Sequence, residues 1–403
     1  MPLNPPPGAA PRRSLLADRN LWLAFGVTLT VVMGVSSVAP VLPDLLRVFG
    51  LGAAGPALVI TSFTLPGAFL TPVLGVLADR YGRKTVLVPS LVVFALFGAG
   101  CGLARDFHLL LALRLLQGVG AAALGALNVT IISDLYEGRE RITALGYNAG
   151  VLALGTTVYP ALGGLLGHFH WSLPFFLPAV GLPLALAVGL WLSCPAPAAR
   201  PELGHYMRTA LRLAATGRAA GLFAVTGATF VLLYGVVIAF LPLLLDQRFA
   251  APAWAIGAVI ASASLGTGLF SSQLGRLSAR VPQAVLMVAG FCLFCAFGVL
   301  APLMPNLFWS VLPVLCFGGG MGLIVPGVQA LLAEHAPMEH RGAFMALNGW
   351  VLRLSQTLGP VLGAAAHAAW GMDGVFYAGA VLAAAMAGLT ALLAARRGRR
   401  PGR

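Results

Sequence analysis

Two long apolar stretches of this sequence each contain an arginine. Arg114 opens Arg114-Leu115-Leu116-Gln117-Gly118-Val119-Gly120-Ala121-Ala122, and Arg353 opens Arg353-Leu354-Ser355-Gln356-Thr357-Leu358-Gly359-Pro360. Helical spacings of three and four put Arg114, Gln117, Ala121, Leu124 and Asn128 on one face, and Arg353, Gln356, Thr357 and Pro360 on one face of another helix. A cation beside amides and hydroxyls in apolar surroundings suits the binding of a polar or anionic solute. Ionisable groups are costly enough in hydrocarbon that function is their first reading. A structural reading stays open for each: Arg114 is near the start of its stretch and can snorkel to an interface, and Arg353 can donate to helix carbonyls.

The acids are placed in the opposite way. All twelve, Asp18, Asp44, Asp79, Asp106, Asp134, Glu137, Glu140, Glu202, Asp246, Glu334, Glu339 and Asp373, fall at the ends of apolar stretches or in the breaks between them. No carboxylate is therefore expected mid-stretch to attract an organic cation or to exchange a proton for it. A neutral, amphipathic or anionic solute follows, met by Arg353, Arg114 and Phe, Tyr and Met side chains.

Other chemistries find little support. The seven histidines are scattered, and His168 with His170 supplies two ligands where a zinc site needs more. Cys292 and Cys295 form a CxxC inside Phe291-Cys292-Leu293-Phe294-Cys295-Ala296-Phe297, with no second pair or nearby base, and read as small packing residues. No GxxxxGK followed by Ser or Thr occurs, so nucleotide-driven work by this chain is not expected. The expectation is a chain that is not an enzyme, with no cofactor and no metal.

The elements that must position these residues are set by composition. The 403 residues are 59% hydrophobic and only 9% charged, against roughly 25% charged in soluble domains. Backbone groups in lipid must be satisfied within the spanning segment, so apolar stretches of about 20 residues read as membrane helices. They fall near 21–43, 54–75, 85–104, 109–132, 144–166 and 173–193, then 221–245, 254–275, 284–304, 308–333, 343–366 and 374–394. The expected fold is an all-α membrane protein with twelve transmembrane helices in two pseudo-symmetric six-helix bundles. Its parts are an N-terminal arm (1–19), a first bundle (20–194), a linker (195–218), a second bundle (219–395) and a basic tail (396–403).

Net charge is +13, but its distribution opposes nucleic-acid binding. With the N-terminus placed on one side, 20 Lys and Arg residues share that side, against Arg47, Arg105 and Arg248 on the other. That asymmetry is the positive-inside signal and places both termini in the cytoplasm. The arm precedes a stretch too long for a secretory signal, which reads as a retained first helix. The linker carries Arg200, Arg208, Arg212 and Arg218 beside Leu203, Met207, Leu211 and Leu213, the pattern of an amphipathic helix on lipid headgroups.

The halves are related at an offset near 200. Leu74-Gly75-Val76-Leu77-Ala78-Asp79-Arg80 aligns with Leu274-Gly275-Arg276-Leu277-Ser278-Ala279-Arg280, Gly118 and Gly120 with Gly318 and Gly320, Asp134 with Glu334, Arg141 with Arg341, and Asn148 with Asn348. Repeats of this kind predict two bundles around a central cavity, with access alternating as they rock.

Gly75-Val76-Leu77-Ala78-Asp79-Arg80-Tyr81-Gly82-Arg83-Lys84 resembles the GxLaDrxGrk signature of the major facilitator superfamily, with every defining position present. The Arg114 segment is similar to that family's RxxQGxGaA element. Gly146 and the run Gly155-Thr156-Thr157-Val158-Tyr159-Pro160-Ala161-Leu162-Gly163-Gly164 resemble its antiporter motif, G(x8)G(x3)GP(x2)GG, with Tyr159 standing in place of a glycine. The resemblance implies a latch of Gly75, Asp79, Arg83 and Asp134 that holds the halves in the outward-open state. It implies a kink at Gly155, Pro160, Gly163 and Gly164. For substrate or coupling the candidates are Arg114, Gln117, Asn128, Tyr159, Arg353 and Gln356. The function implied is proton-coupled export of a small molecule across the inner, cytoplasmic membrane by a monomer, as in the drug:proton antiporter group. An uptake permease or facilitator on the same fold is the alternative. The expected partners are a small-molecule substrate, a proton and the lipid bilayer.

Overall fold

The computed structural model describes residues 15–52, 54–194, 217–335 and 341–398. The linker at 195–218, with the amphipathic helix expected there, falls almost wholly outside the described residues, as do most of the arm at 1–19 and of the tail at 396–403. Among the described residues thirteen α-helices follow in chain order. The first half holds α1 (Arg19–Ser36), α2 (Leu42–Phe49), α3 (Gly55–Tyr81), α4 (Arg83–Cys101), α5 (Phe107–Leu135), α6 (Gly138–Phe169) and α7 (Gly181–Trp191). The second holds α8 (Gly217–Leu232), α9 (Leu241–Phe249), α10 (Ala253–Ser278), α11 (Gln283–Leu300), α12 (Val311–His335) and α13 (Arg341–Gly398).

Local chemistry sets the boundaries. Asp18 caps α1 by accepting from the Asn20 backbone N–H at 2.8 Å, and Asp106 caps α5 by accepting from that of Leu109 at 2.8 Å. Between α3 and α4 a single residue, Gly82, turns the chain at φ 101°, a conformation that a side chain resists.

Eleven helical stretches among the described residues are long and apolar enough to cross a membrane. The last two expected spans appear as one 58-residue element, α13, which leaves helical geometry only at Gly371 (φ 71°, ψ −170°). The chain doubles back there. Gly227 of α8 lies against Val351 and Ser355, and Gly221, two turns away on the same helix, lies against Leu393. A straight helix would put about 60 Å between 353 and 393, at 1.5 Å per residue.

The duplication seen in the sequence recurs in the packing. The Thr71 hydroxyl donates to the Ala122 carbonyl at 3.2 Å, and Ser271 donates to that of Gly322 at 3.3 Å. Gly118 sits on the Phe63 carbonyl and Gly318 on the Ala263 carbonyl, each so close that a Cβ would collide. Thr28 donates to Asn148 at 2.6 Å, and Thr226 to Asn348 at 2.7 Å. In lipid, where apolar side chains gain little by leaving the solvent, such backbone approaches and interhelical hydrogen bonds carry the association.

Candidate functional site

The halves meet chiefly along two seams, α3 against α13 and α6 against α10. On the first, Thr61 donates to the Thr357 carbonyl at 3.2 Å, and the Trp350 indole donates to the Ala68 carbonyl at 2.9 Å. On the second, Gly164 lies on the Ala253 carbonyl, Gly257 on the Pro160 carbonyl, and Ser264 donates to Thr156 at 3.3 Å. These contacts run from the end of the bundle opposite the basic loops to about half depth. Towards the basic end they stop. Gly75 on α3, Gly146 and Gly150 on α6, Gly268 and Gly275 on α10, and Gly349 on α13 have no atom within 4 Å of where a Cβ would be. The molecule is closed at one face and open at the basic face.

Arg353 projects into this opening. Its Nη1 donates to Gln356 Oε1 at 3.3 Å, and Gln356 Nε2 donates to the Tyr234 hydroxyl at 3.0 Å. Tyr234 belongs to a π-helical segment, Leu233–Ile238, between α8 and α9. π-Bulges of this kind recur at functional sites. The guanidinium crosses the seam, so close to Gly125 of α5 that a Cβ there would strike Nη2; Gly67 of α3 flanks its aliphatic stem. Arg353 is half-buried and takes part in none of the ion pairs among the described residues.

Arg114 is placed differently. It is fully buried in the first half, not at an interface. Its Nη1 donates to the Gly34 carbonyl at 2.8 Å and to Gln117 Oε1 at 2.9 Å, its Nε to the Val59 carbonyl at 3.4 Å. The Phe63 ring lies 4.5 Å from the guanidinium carbon and Phe175 5.8 Å. Carbonyl dipoles and ring faces thus stand in for a counter-ion. Asn128 lies further along α5, where its amide donates to Thr28 and, at 3.4 Å, to Asn148. The predicted face of Arg114, Gln117 and Asn128 therefore turns largely into the first bundle. Tyr159 is half-buried and packs beside Gly155.

The glycines and proline of the antiporter-like segment lie at close approaches. Gly155 packs against Leu29 and Val32, Gly163 rests on the Ser37 carbonyl just past α1, and Gly164 and Pro160 meet α10 of the other half. On the basic face Arg83 pairs with Asp79 and, Nε to Oδ2 at 3.1 Å, with Asp134. That cluster ties α3, α4 and α5 together inside one half; with the halves apart at this end, it does not bridge them. Gly75, partly exposed, lies beside it on the open seam. Cys194 borders the cluster: burial pushes its thiol pKa up and Asp134 adds to this, against the pull of Lys84 and Arg83.

Sequence reading missed Tyr234, Gly125, Gly67 and Trp350 as partners of the seam. A tyrosine alone in an apolar stretch was the only available signal, because glycines that receive a neighbour's side chain look like any others.

The family profile described as Major Facilitator Superfamily matches residues 24–250 and 222–403. The chain is 27% identical to a bacillibactin exporter of Bacillus subtilis, over 86% of this chain and 89% of that protein. It is 25% identical to the class B tetracycline resistance protein of Escherichia coli, over 84% and 86%. Among solved structures, a bacterial homologue of the human lysosomal transporter Spinster, inward-facing and occupied, superposes with a TM-score of 0.76 at 15% identity, covering 95% of this chain and 98% of that one. The nucleoside transporter NupG superposes at 0.73 and 16% identity, covering 94% and 98%.

Proposed function

Since the chain belongs to the major facilitator superfamily, and is thus a non-enzymatic multi-pass membrane transporter, we propose that it exports a small neutral, amphipathic or anionic compound by proton-coupled alternating access. The observation that carries this reading is the seam: α3 with α13 and α6 with α10 are closed at one face and apart at the basic face, with Arg353 one helical turn inward of the last contact on its seam, Trp350 with Ala68. A solute entering from the basic side reaches Arg353, and rocking about the mid-depth contacts exchanges one opening for the other.

Taking the reversal at Gly371 as the turn between two crossings gives twelve spans, with both termini on the basic face. In this reading the positive-inside asymmetry puts that face in the cytoplasm, and the likeness to a bacterial efflux protein favours the inner membrane. The structure then represents the inward-open state of a monomer. In this reading Asp79, Arg83 and Asp134 brace the first half so that Gly75 can dock on α13 when the basic face closes. Arg114, Gln117 and Asn128, buried within the first half, brace the helices behind the cavity wall, Tyr159 contributes to that wall, and Arg353 and Gln356 meet the solute. Export is favoured over uptake by the antiporter-like Gly155 to Gly164 segment and by the efflux relatives.

The test is transport in inside-out membrane vesicles with an imposed pH gradient, using bacillibactin and tetracycline as first probes, since relatives carry those names. Accumulation that a protonophore abolishes is expected. Counterflow with no response to the gradient identifies a facilitator instead, the uptake alternative.

A further inference from the structure

Two arginines stand within the spans, and only one reaches the seam between the halves. Arg114 is sealed inside the first half, where three hydrogen-bond acceptors and an aromatic ring face surround it and only Nη2 is left without an acceptor. Arg353 has a single neutral acceptor, Gln356, and shares no ion pair among the described residues. A guanidinium carries five N–H donors in a planar fork matched to a carboxylate or phenolate. Most of that fork is unspent at the seam. Beside it the Tyr234 hydroxyl, which accepts from Gln356, keeps its own proton free to donate.

We propose that Arg353, with Tyr234 and Gln356, is an oxyanion-binding site for the transported solute, specific for an ionised carboxylate or acidic hydroxyl on an apolar body. The proposal rests on the export reading only in taking the seam as the solute's path. Three observations support it. Arg353 is partly exposed and lies one helical turn inward of the last contact on its seam, Trp350 with Ala68, so an anion reaches it past that contact from the basic face. The notch at Gly125 and Gly67 holds the arginine across both halves, so an anion bound there touches the second half while leaning on the first. And the mid-span region holds no carboxylate to compete, because every acid in the sequence lies at a span end or in a loop. In a site of low effective dielectric such a charge-assisted pair contributes far more than the same pair on a surface.

The test uses the full chain in lipid nanodiscs at neutral pH, with equilibrium dialysis of three probes sharing one ring system: naphthoate, naphthamide and naphthylmethylammonium. Wild type is expected to bind naphthoate at least roughly tenfold more tightly than naphthamide, the scale of a charged hydrogen bond, and the ammonium most weakly. In Arg353→Gln that preference disappears while naphthamide binding stays within about twofold. Gln356→Glu sets a carboxylate against the guanidinium in advance and is expected to remove the preference in the same way. It serves as the decisive variant should Arg353→Gln fail to fold. Equal binding of the three probes by wild type, tighter binding of the ammonium, or a naphthoate preference that survives Gln356→Glu overturns the proposal. Vesicle transport separates the two claims: gradient-driven export without any naphthoate preference overturns the anion site alone, and the preference without export overturns only the export reading.

Discussion

Arg47 of α2 and Asp246 of α9 join the two halves by an ion pair of 2.9 Å at the face opposite the basic loops, and Asp44 shares the same guanidinium at 2.6 Å. Arg248 and Asp373 form a second pair at that face, 2.7 Å apart, but within the second half. Among the described ion pairs, Arg47 with Asp246 is thus the one that bridges the halves. The Arg47 side chain is 61% exposed, so the pair contributes at most about 1 kcal/mol, enough to shift a two-state population several-fold.

Asp246→Ala is expected to raise the fraction open at that face by roughly three- to fivefold, with Tm almost unchanged. Double electron–electron resonance between spin labels at positions 48 and 254, in a background with the five cysteines replaced by serine, reads the distance distribution. The exchanged pair Arg47→Asp with Asp246→Arg is expected to restore the wild-type distribution. An unchanged distribution in Asp246→Ala removes the bridge from the account.

Gly75 and Gly164 mark the open and the closed end of the seam. A Cβ at 75 meets no neighbour in this conformation, whereas one at 164 strikes the Ala253 carbonyl. Gly75→Leu is therefore expected to keep the Tm of this state and yet reduce transport by roughly tenfold or more, because it blocks the other state. Gly164→Leu is expected to lower Tm as well. Thermal shift beside vesicle uptake distinguishes them, and equal destabilisation by both would count against a seam that closes at Gly75.

The two arginines should differ in what their loss costs. Arg114→Gln leaves the Gly34 and Val59 carbonyls without their buried donor, a loss on the order of 2–4 kcal/mol. Arg353→Gln gives up one neutral contact and is expected to cost under about 1 kcal/mol. Reversible unfolding in detergent checks this; the reverse order would make Arg353 the structural arginine.

At the basic end of the first half, the Tyr136 hydroxyl donates to Asp18 at 2.6 Å. Burial, then the hydrogen bond and the charge of Asp18, raise its pKa above the ordinary 10.0. The fold thus favours the protonated phenol: the stabilisation is complete below pH 10 and is lost as pH climbs from there through the folded-state value. Stability should fall above pH 10 in wild type and less so in Tyr136→Phe. The late phase of phenolate absorbance against pH should lose one tyrosine's amplitude in Tyr136→Phe.

Much of this protein could be read from its residues. Span length and the side on which arginines accumulate are one-dimensional properties, imposed by bilayer thickness and by the charge rule on loops. Duplication was visible because turn glycines and loop charges keep their register; the matched contacts of Gly118 with Phe63 and Gly318 with Ala263 are its three-dimensional form. The Asp79, Arg83 and Asp134 residues followed from the motif, but whether their cluster bridges the halves did not, because that depends on how far the second half stands from it.

What only the tertiary structure decided is clearest at the arginines. Arg114-Leu115-Leu116-Gln117 and Arg353-Leu354-Ser355-Gln356 are near copies in sequence, and each arginine donates to the glutamine three residues on. Yet one is sealed among carbonyls and the other lies across the seam. In a soluble helix the polar face would reveal which side is outward. A membrane helix is apolar towards lipid and towards its neighbours alike, so the rotation of each span is set by its packing partners. The chemistry of Arg353 depends on that rotation.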